Sequence, residues 1–211
     1  MRKPEVTMED TNVMSKEIQL TPEQEAKKEA WLKNLADFIV IANGKTWAAD
    51  GAEVDPQRPG YKELQWPYPN MTEEDAKAYK GWEDWLLRDS YTGYFRAPGM
   101  TTVYYKGQPA WTMQYSGHGQ TEGYEDKAKQ TYEFLKTALK QVTPEIPFRG
   151  PKEHAEGNKR YEFTLLEGDI TDCSWQERIS EDGQLTFTQK GLAGIVIQRD
   201  STRQPINPWD L

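Results

Sequence analysis

A short alternating segment near the middle of the chain is the feature that most constrains its fold. From Pro109 to Tyr115, small or polar residues alternate with the large residues Trp111, Met113 and Tyr115. Because successive side chains of a strand point to opposite faces, this pattern predicts a strand with one aromatic face. The turn at residues 105–108 contains Lys106-Gly107 and joins this strand to another predicted at 101–106. A hairpin of this kind indicates an antiparallel sheet.

Aromatic residues must supply much of the core of this sheet. Leu, Ile, Val and Phe together make only 35 of the 211 residues, and the net charge is −8. Those values approach the composition of disordered chains. Eight Trp and eleven Tyr compensate for the low content of Leu, Ile, Val and Phe, because each ring can bury a large area while keeping a polar group. The composition therefore predicts a folded chain with an aromatic-rich core.

Two helices and two runs of strands alternate along the sequence. Thr21-Pro22-Glu23-Gln24 combines a capping box with Pro at the first helical position and predicts a helix over 22–42. A second apolar stripe predicts a helix over 122–141, and a short helix is expected at 72–80. Strands are predicted at 85–94, 101–106 and 109–115, and again at 161–166, 175–179, 185–188 and 195–198. We therefore expect an α+β fold, built from two helix-plus-meander halves whose two long helices pack on one or two antiparallel sheets.

The predicted domain organisation is simple. Residues 1–20 are expected to be a disordered tail, residues 21–200 a single α+β domain, and residues 201–211 a C-terminal tail in which Trp209 could dock. Lys106-Gly107-Gln108 resembles Asp182-Gly183-Gln184. This similarity suggests an internal repeat whose two copies span about residues 85–119 and 161–198. Two unrelated hairpins are the alternative.

Several classes of function are disfavoured by composition. An isoelectric point near 5.0 argues against non-specific binding to nucleic acid or anionic membranes. No stretch of 18 apolar residues and no secretory signal is present, so we expect no membrane partner. Cys173 is the single cysteine, which excludes an internal disulfide and fits a cytoplasmic location. With two histidines and no calcium-loop spacing, neither a metal site nor a cofactor is predicted.

Two residues are candidates for catalysis, His118 and Asp89. Ser116 and His118 lie two positions apart in a predicted strand and would share a face, with Asp89 or Glu122 as the orienting acid. Alternatively, His118 is a loop histidine that caps the following helix. No nucleophile elbow is present.

Two arginines and an aromatic face are candidates for binding. Arg58 and Arg149 each lie in a loop stiffened by Pro and Gly, which could hold a guanidinium for bidentate recognition. Alternatively, each pairs with loop carbonyls or a buried acid such as Asp89. The aromatic face, with Trp85 at its start, is either packed by helices or forms a pocket that stacks a flat ligand. The candidate binding residues are Arg58, Asp89, Tyr91, Trp111, Tyr115 and Arg149.

Four motifs together resemble a known family. They are Arg58-Pro59-Gly60, Asp89-Ser90-Tyr91-Thr92-Gly93, the segment from Pro109 to Gly117 with its W-x-M-x-Y-x-G pattern, and Arg149-Gly150-Pro151. Over about residues 35–197 the chain is similar to an uncharacterised bacterial domain of unknown function, found alone or appended to helix-turn-helix regulators. The resemblance implies a fold unit and not an activity. The N-terminal 35 residues are too short and acidic for a helix-turn-helix, so no role through DNA is expected.

These observations lead to one expected function and one alternative. The expected function is a non-catalytic module that binds a small ligand or a protein partner at an aromatic and Arg-lined site. The alternative is a hydrolase or transferase acting on an anionic small substrate, with Asp89 or His118 as base. Whether any reaction is catalysed is left open by the sequence.

Overall fold

A computed structural model describes residues 20–49 and 51–211. It contains three α-helices, α1 (Pro22–Asn43), α2 (Glu73–Tyr79) and α3 (Glu125–Leu139). The strands are β1 (Glu53–Val54), β2 (Lys62–Trp66), β3 (Trp85–Tyr91), β4 (Gly99–Tyr105), β5 (Gln108–Gly119), β6 (Glu153–Glu156), β7 (Lys159–Asp169), β8 (Asp172–Glu181), β9 (Gln184–Ile195), β10 (Gln198–Arg199) and β11 (Pro205–Ile206). The predicted disordered tail, apart from Leu20, lies outside the described residues.

Nine of these strands form one antiparallel sheet, which confirms the α+β class. Its order is β1-β2-β3-β4-β5-β9-β8-β7-β6, so the two runs of strands share one sheet and meet at the β5–β9 pair. Strands β5 and β9 pair from Trp111 with Ile195 to Gly119 with Phe187. The question of one sheet or two, open from the sequence, is answered by this pairing.

The β4–β5 and β8–β9 hairpins turn in the same way. Lys106 and Gly107 have φ values of 48° and 76°, and Asp182 and Gly183 have 50° and 76°. Two consecutive positive φ values are typical of the type I′ turn, whose twist matches that of the flanking strands. A register shift also precedes each turn, at Val103/Tyr104 and at Ile179/Ser180.

The helices cover one face of the sheet, and we call it the helix-covered face. On α1, Phe38 lies 5.5 Å from Trp85 of β3 between ring centroids. On α3, Tyr132 lies 6.1 Å from Phe187 of β9. Strand alternation and register place Trp85 and Phe187 on the same face, together with the predicted aromatic residues Tyr91, Trp111 and Tyr115.

Local sequence explains the helix boundaries. Thr21 and Gln24 form the predicted capping box, and α1 ends one residue beyond the predicted position. Helix α3 begins at Glu125 instead of 122, because Gly123 has a φ of +84° that no helix can contain. None of the helices among the described residues is long and apolar enough to cross a membrane.

Some strand boundaries differ from expectation because pairing sets them. Strand β9 extends over 184–195 because it pairs with both β5 and β8, whereas two separate strands were predicted at 185–188 and 195–198. The C-terminal residues form the β10–β11 pair and a 3-10 turn at Pro208–Asp210. Trp209 of that turn is buried and lies 6.1 Å from Trp31 of α1.

Candidate functional site

A cavity of about 440 Å³ lies between α3 and the helix-covered face of the sheet. Its walls are mostly apolar, and a volume of this size is typical of small-molecule sites. The lining residues come from the loop after α1, from β1 to β3, from the β3–β4 loop, from α3 and the loop that follows it, and from β5 and β9. They are Trp47, Ala49, Gly51, Glu53, Leu64, Asp89, Tyr91, Gly93, Tyr94, Ala97, Tyr115, Gly117, Tyr132, Leu135, Lys136, Leu139, Arg149, Phe187 and Gln189.

Asp89 is a buried carboxyl group at this cavity. It accepts a hydrogen bond of 2.7 Å from the Thr101 hydroxyl, and the Tyr115 hydroxyl lies 3.0 Å from both of its oxygens. Burial raises the pKa of Asp89, while the bonds from Thr101 and Tyr115 and the charge of Arg149 oppose the rise. Burial also raises the pKa of Tyr115 well above 10, with the Asp89 carboxylate acting in the same direction. The pair therefore holds its protons more tightly than the free groups would.

Arg149 is buried at the same end of the cavity and is paired with Glu177 of β8. Its Nε donates to Glu177 Oε2 at 3.0 Å, its Nη2 donates to Oε1, and neither bond uses Nη1. The Tyr161 hydroxyl donates to Glu177 at 2.9 Å. The guanidinium also lies over the rings of Trp47 and Trp175, at 4.6 Å and 5.5 Å from their centroids. Arg149 is thus held in a fixed flat position with its charge compensated.

Gln189 of β9 lines the cavity with an almost fully buried side chain. The residue is only 6% exposed, and its Oε1 has no hydrogen-bond partner in the described part of the chain. It sits directly opposite Glu177 on the neighbouring strand and opposite Gly117 on the other side. A Cβ atom at Gly117 would lie 2.7 Å from Gln189 Cβ, so glycine there leaves room for the Gln189 side chain. Buried polar atoms are usually paired, and Gln189 Oε1 is an exception to this rule.

Four of the six predicted binding residues line this cavity and two do not. Asp89, Tyr91, Tyr115 and Arg149 are brought together. Arg58 is exposed before β2, stacks on Tyr61 at 5.4 Å, and lines a groove on the opposite face of the sheet. Trp111 is fully buried in the core, where its Nε1 donates to the Ile170 carbonyl at 2.9 Å.

The catalytic candidate His118 lies away from Asp89. Strand β5 alternates, so Ser116 and His118 share the face opposite to Tyr115 and Gly117. Ser116 is exposed and lines the same outer groove as Arg58. The structure therefore separates the two catalytic candidates onto opposite faces of the sheet.

Sequence reasoning missed several residues of the site. Trp47 and Tyr132 contribute rings to the cavity wall, and neither is among the residues predicted for the site. Glu177 and Gln189 are likewise absent from the predicted site residues, since no local sequence pattern marks them. Pairing of Arg149 with a buried acid was one of the alternatives, with Asp89 as the example, and the acid that pairs with it is Glu177. Only the pairing of β8 with β9 and the return of the chain after α3 bring these groups together.

The described residues contain no group of three or more His, Cys, Asp or Glu side chains that could hold a metal ion. Cys173 is buried, and burial raises the pKa of its thiol to about 11. A thiol of this kind is a poor nucleophile, since the thiolate is the reactive form.

Comparison with known protein families gives a match over about half of the chain. A family model described as a domain of unknown function, DUF5680, matches residues 89–196. No curated protein and no solved structure matches the chain. The matched range contains Asp89, Tyr115, Arg149 and Gln189, whereas Trp47 and the rest of the wall before β3 lie outside it.

Proposed function

The chain belongs to the DUF5680 family of domains of unknown function, and from that premise we propose that it is a non-catalytic domain that binds a small molecule in the cavity beside α3. One observation carries this proposal. Three polar residues, Asp89, Arg149 and Gln189, are nearly fully buried and yet line a cavity whose other walls are aromatic and aliphatic. Burying a polar group costs free energy unless the group is hydrogen-bonded. The convergence of several such groups on an apolar cavity is typical of ligand sites.

A cavity-filling substitution tests the proposal. Ala97 lies in the β3–β4 loop and lines the cavity, so Ala97→Trp should fill it without removing any polar group. The matched control is Ala155→Trp, at an exposed alanine of the edge strand β6. The protein is first screened by thermal shift against a library of metabolites and nucleotides. A ligand at 100 times its Kd should add about 2.7 kcal/mol, which is about 5–10 °C for a chain of this size.

The variants then decide where each ligand binds. The shift should be lost in Ala97→Trp and retained in Ala155→Trp. A screen in which no compound stabilises the protein contradicts the proposal, as does a shift that survives in Ala97→Trp.

A hydrolase or transferase is the second candidate, favoured by the raised pKa of a buried carboxyl facing the cavity. Such a group can act as a general acid or base. The pairing of Arg149 with Glu177 weakens the case for an anionic substrate, because the guanidinium charge is already compensated. Each stabilising compound is therefore followed by NMR in the presence of the protein. An unchanged compound supports binding alone, and conversion supports the enzyme.

A further inference from the structure

The outer groove, on the face of the sheet opposite the helix-covered face, is a second recess with a volume of about 670 Å³. It combines exposed apolar side chains with polar side chains and two cations, and none of its described lining residues is acidic. We propose that this groove docks an extended acidic segment of a partner protein, in which apolar side chains alternate with carboxylates. The proposal concerns a protein partner on the other face of the sheet and goes beyond the binding of a small molecule in the cavity.

A row of side chains that runs across the strands forms the floor of the groove. In register from β4 to β8, the row contains Met100, Gln114, Leu192 and Ser174. Leu166 lies at the far end, where the pairing of β7 with β8 shifts register. Because neighbouring strands are about 4.8 Å apart, the row from β4 to β7 is about 19 Å long, which matches about six residues of extended chain.

The side chains of this row suit a peptide. Leu192 is 62% exposed and Leu166 is 55% exposed, and both line the same recess. Large apolar side chains that are exposed together are typical of interaction surfaces. Gln114 and Ser116 are exposed between them. Their amide and hydroxyl groups can donate to, and accept from, the backbone C=O and N–H groups of a bound segment.

The charge of the groove favours an acidic segment. Arg58 stacks on Tyr61 at 5.4 Å, and Lys190 lies on β9 opposite Gln176. Both cations are exposed, and neither forms an ion pair with a residue that the structure describes. Carboxylates of a docked segment would therefore meet two cations that have no counter-ion, which is the complementarity that selects a partner.

The acidic residues on this face leave the two cations unpaired. Glu63 is paired with Arg88, whose Nη2 lies 3.4 Å from Glu63 Oε2. Glu167 is exposed opposite Ser174 at the β7 end of the row and does not line the groove. We therefore expect the docked segment to place an apolar residue at the β7 end and its carboxylates nearer to β5 and β9. More distant charges of this acidic chain are screened beyond about 8 Å at physiological salt.

Two other occupants fit the charge of the groove less well. A second copy of the chain in a two-fold contact would bring the same patch to both sides. A patch with two cations and no acid in its described lining offers no counter-charge to itself. An anionic membrane is attracted by clusters of basic residues, whereas this chain has a net charge of −8. A short acidic segment needs only the two cations of the groove.

A series of three acetylated peptides tests the proposal. The parent is Ser-Leu-Asp-Leu-Asp-Leu-Ser, the second peptide has Asn in place of both Asp residues, and the third has Ser in place of all three Leu residues. Binding is measured by amide NMR titration of the full chain. At low salt the parent should bind about fivefold to tenfold more tightly than the Asn peptide, and this ratio should fall toward one as salt is added. The parent should also bind at least about tenfold more tightly than the Ser peptide.

Matched pairs of surface variants locate the binding. Lys190→Gln should reduce the preference for the parent over the Asn peptide to within about threefold, because one of the two cations is lost. Lys129→Gln, at an exposed lysine of α3, should leave the preference unchanged. Leu192→Ser should weaken binding of the parent at least about fivefold. Ile197→Ser, at a 54% exposed residue outside the groove, should leave it unchanged.

Each of the other outcomes overturns the proposal. Equal binding of the parent and Asn peptides would mean that the groove recognises only apolar surface. Equal binding of the parent and Ser peptides would mean that it attracts any anion. No binding of the parent up to about 1 mM would mean that no acidic segment docks there. Self-association that is lost in Leu192→Ser would assign the groove to a second copy, and flotation with phosphatidylserine vesicles that is lost in Lys190→Gln would assign it to a membrane.

Discussion

At the scale of single residues, the site is built from polar groups that the core would otherwise exclude. Glu177 is fully buried, and Arg149 and Tyr161 satisfy its two oxygens. Breaking such a pair at one partner typically costs about 3–5 kcal/mol, because it leaves a buried charge alone. Arg149 is therefore a structural residue as well as a binding residue. Gln189 makes no hydrogen bond through its Oε1, so its substitution breaks no buried pair of this kind.

Asp89 should make stability depend on pH in a direction unusual for a carboxyl group. Its pKa in the folded chain is raised above 3.8 by burial. Below pH 3.8 the Asp89 carboxyl is mostly protonated in both the folded and the unfolded chain. As the pH rises above it, the unfolded chain releases the proton first, so unfolding becomes more favourable until the folded group also ionises. We expect the free energy of unfolding of Asp89→Asn, relative to the natural chain, to increase as pH rises from about 4.

Urea denaturation of both proteins between pH 4 and pH 8 measures this difference. Asp84→Asn, at an exposed carboxyl just before β3, controls for the loss of one negative charge. If the difference in free energy of unfolding stays constant with pH, or if Asp89→Asn becomes relatively less stable as the pH rises, then burial does not raise the pKa of Asp89.

At the scale of elements, the two helices that cover the sheet begin in contrasting ways. In α1 the Thr21 backbone N–H donates to Gln24 Oε1 at 2.8 Å, and the Thr21 hydroxyl accepts from the Gln24 N–H at 3.3 Å. In α3 the N-cap is Tyr124, which is 72% exposed and makes no side-chain capping bond. The start of α1 is therefore optimised and that of α3 is not.

Substitutions at these two caps should shift stability in opposite directions. Thr21→Ala should lower the free energy of unfolding by about 1 kcal/mol through loss of the cap. Tyr124→Asp should raise it by about 0.5–1 kcal/mol, because the carboxylate can accept from the first turn and favours the positive end of the helix dipole. Urea titrations at neutral pH and low salt measure both changes. A loss of stability in Tyr124→Asp would mean that the exposed Tyr124 ring stabilises the protein more than an Asp N-cap does.

At the scale of the whole molecule, the sequence predicted what local interactions determine and failed where distant segments meet. The capping box located α1, and the alternation in β5 identified the aromatic side of the sheet. The same alternation could not tell which aromatic ring would reach the cavity: Tyr115 lines it, whereas Trp111 is covered by the core. Glu177 and Gln189 became site residues only through the β8–β9 pairing and the position of Arg149, contacts that no local pattern encodes.

The shared centre of the sheet predicts that both runs of strands unfold as one unit. Trp111 of β5 lies 6.2 Å from Phe148, Phe148 lies 6.1 Å from Phe163, and Phe163 lies 6.1 Å from Trp175. This chain of rings joins the core of the first run to that of the second. Leu87→Ala in β3 and Ile179→Ala in β8 remove matched buried side chains from opposite sides of the centre, and each should cost about 2–5 kcal/mol.

Native-state hydrogen exchange of the two variants tests this cooperativity. If the sheet unfolds as a unit, each substitution should lower the protection of the most protected amides in β3 and in β8 by the same amount. Tryptophan fluorescence and far-UV circular dichroism should also give coincident urea transitions. Independent halves would behave differently: Leu87→Ala would weaken only β2–β5, Ile179→Ala only β7–β9, and the two optical transitions would separate. In that case the cavity, whose walls come from both runs, would open whenever either half unfolded.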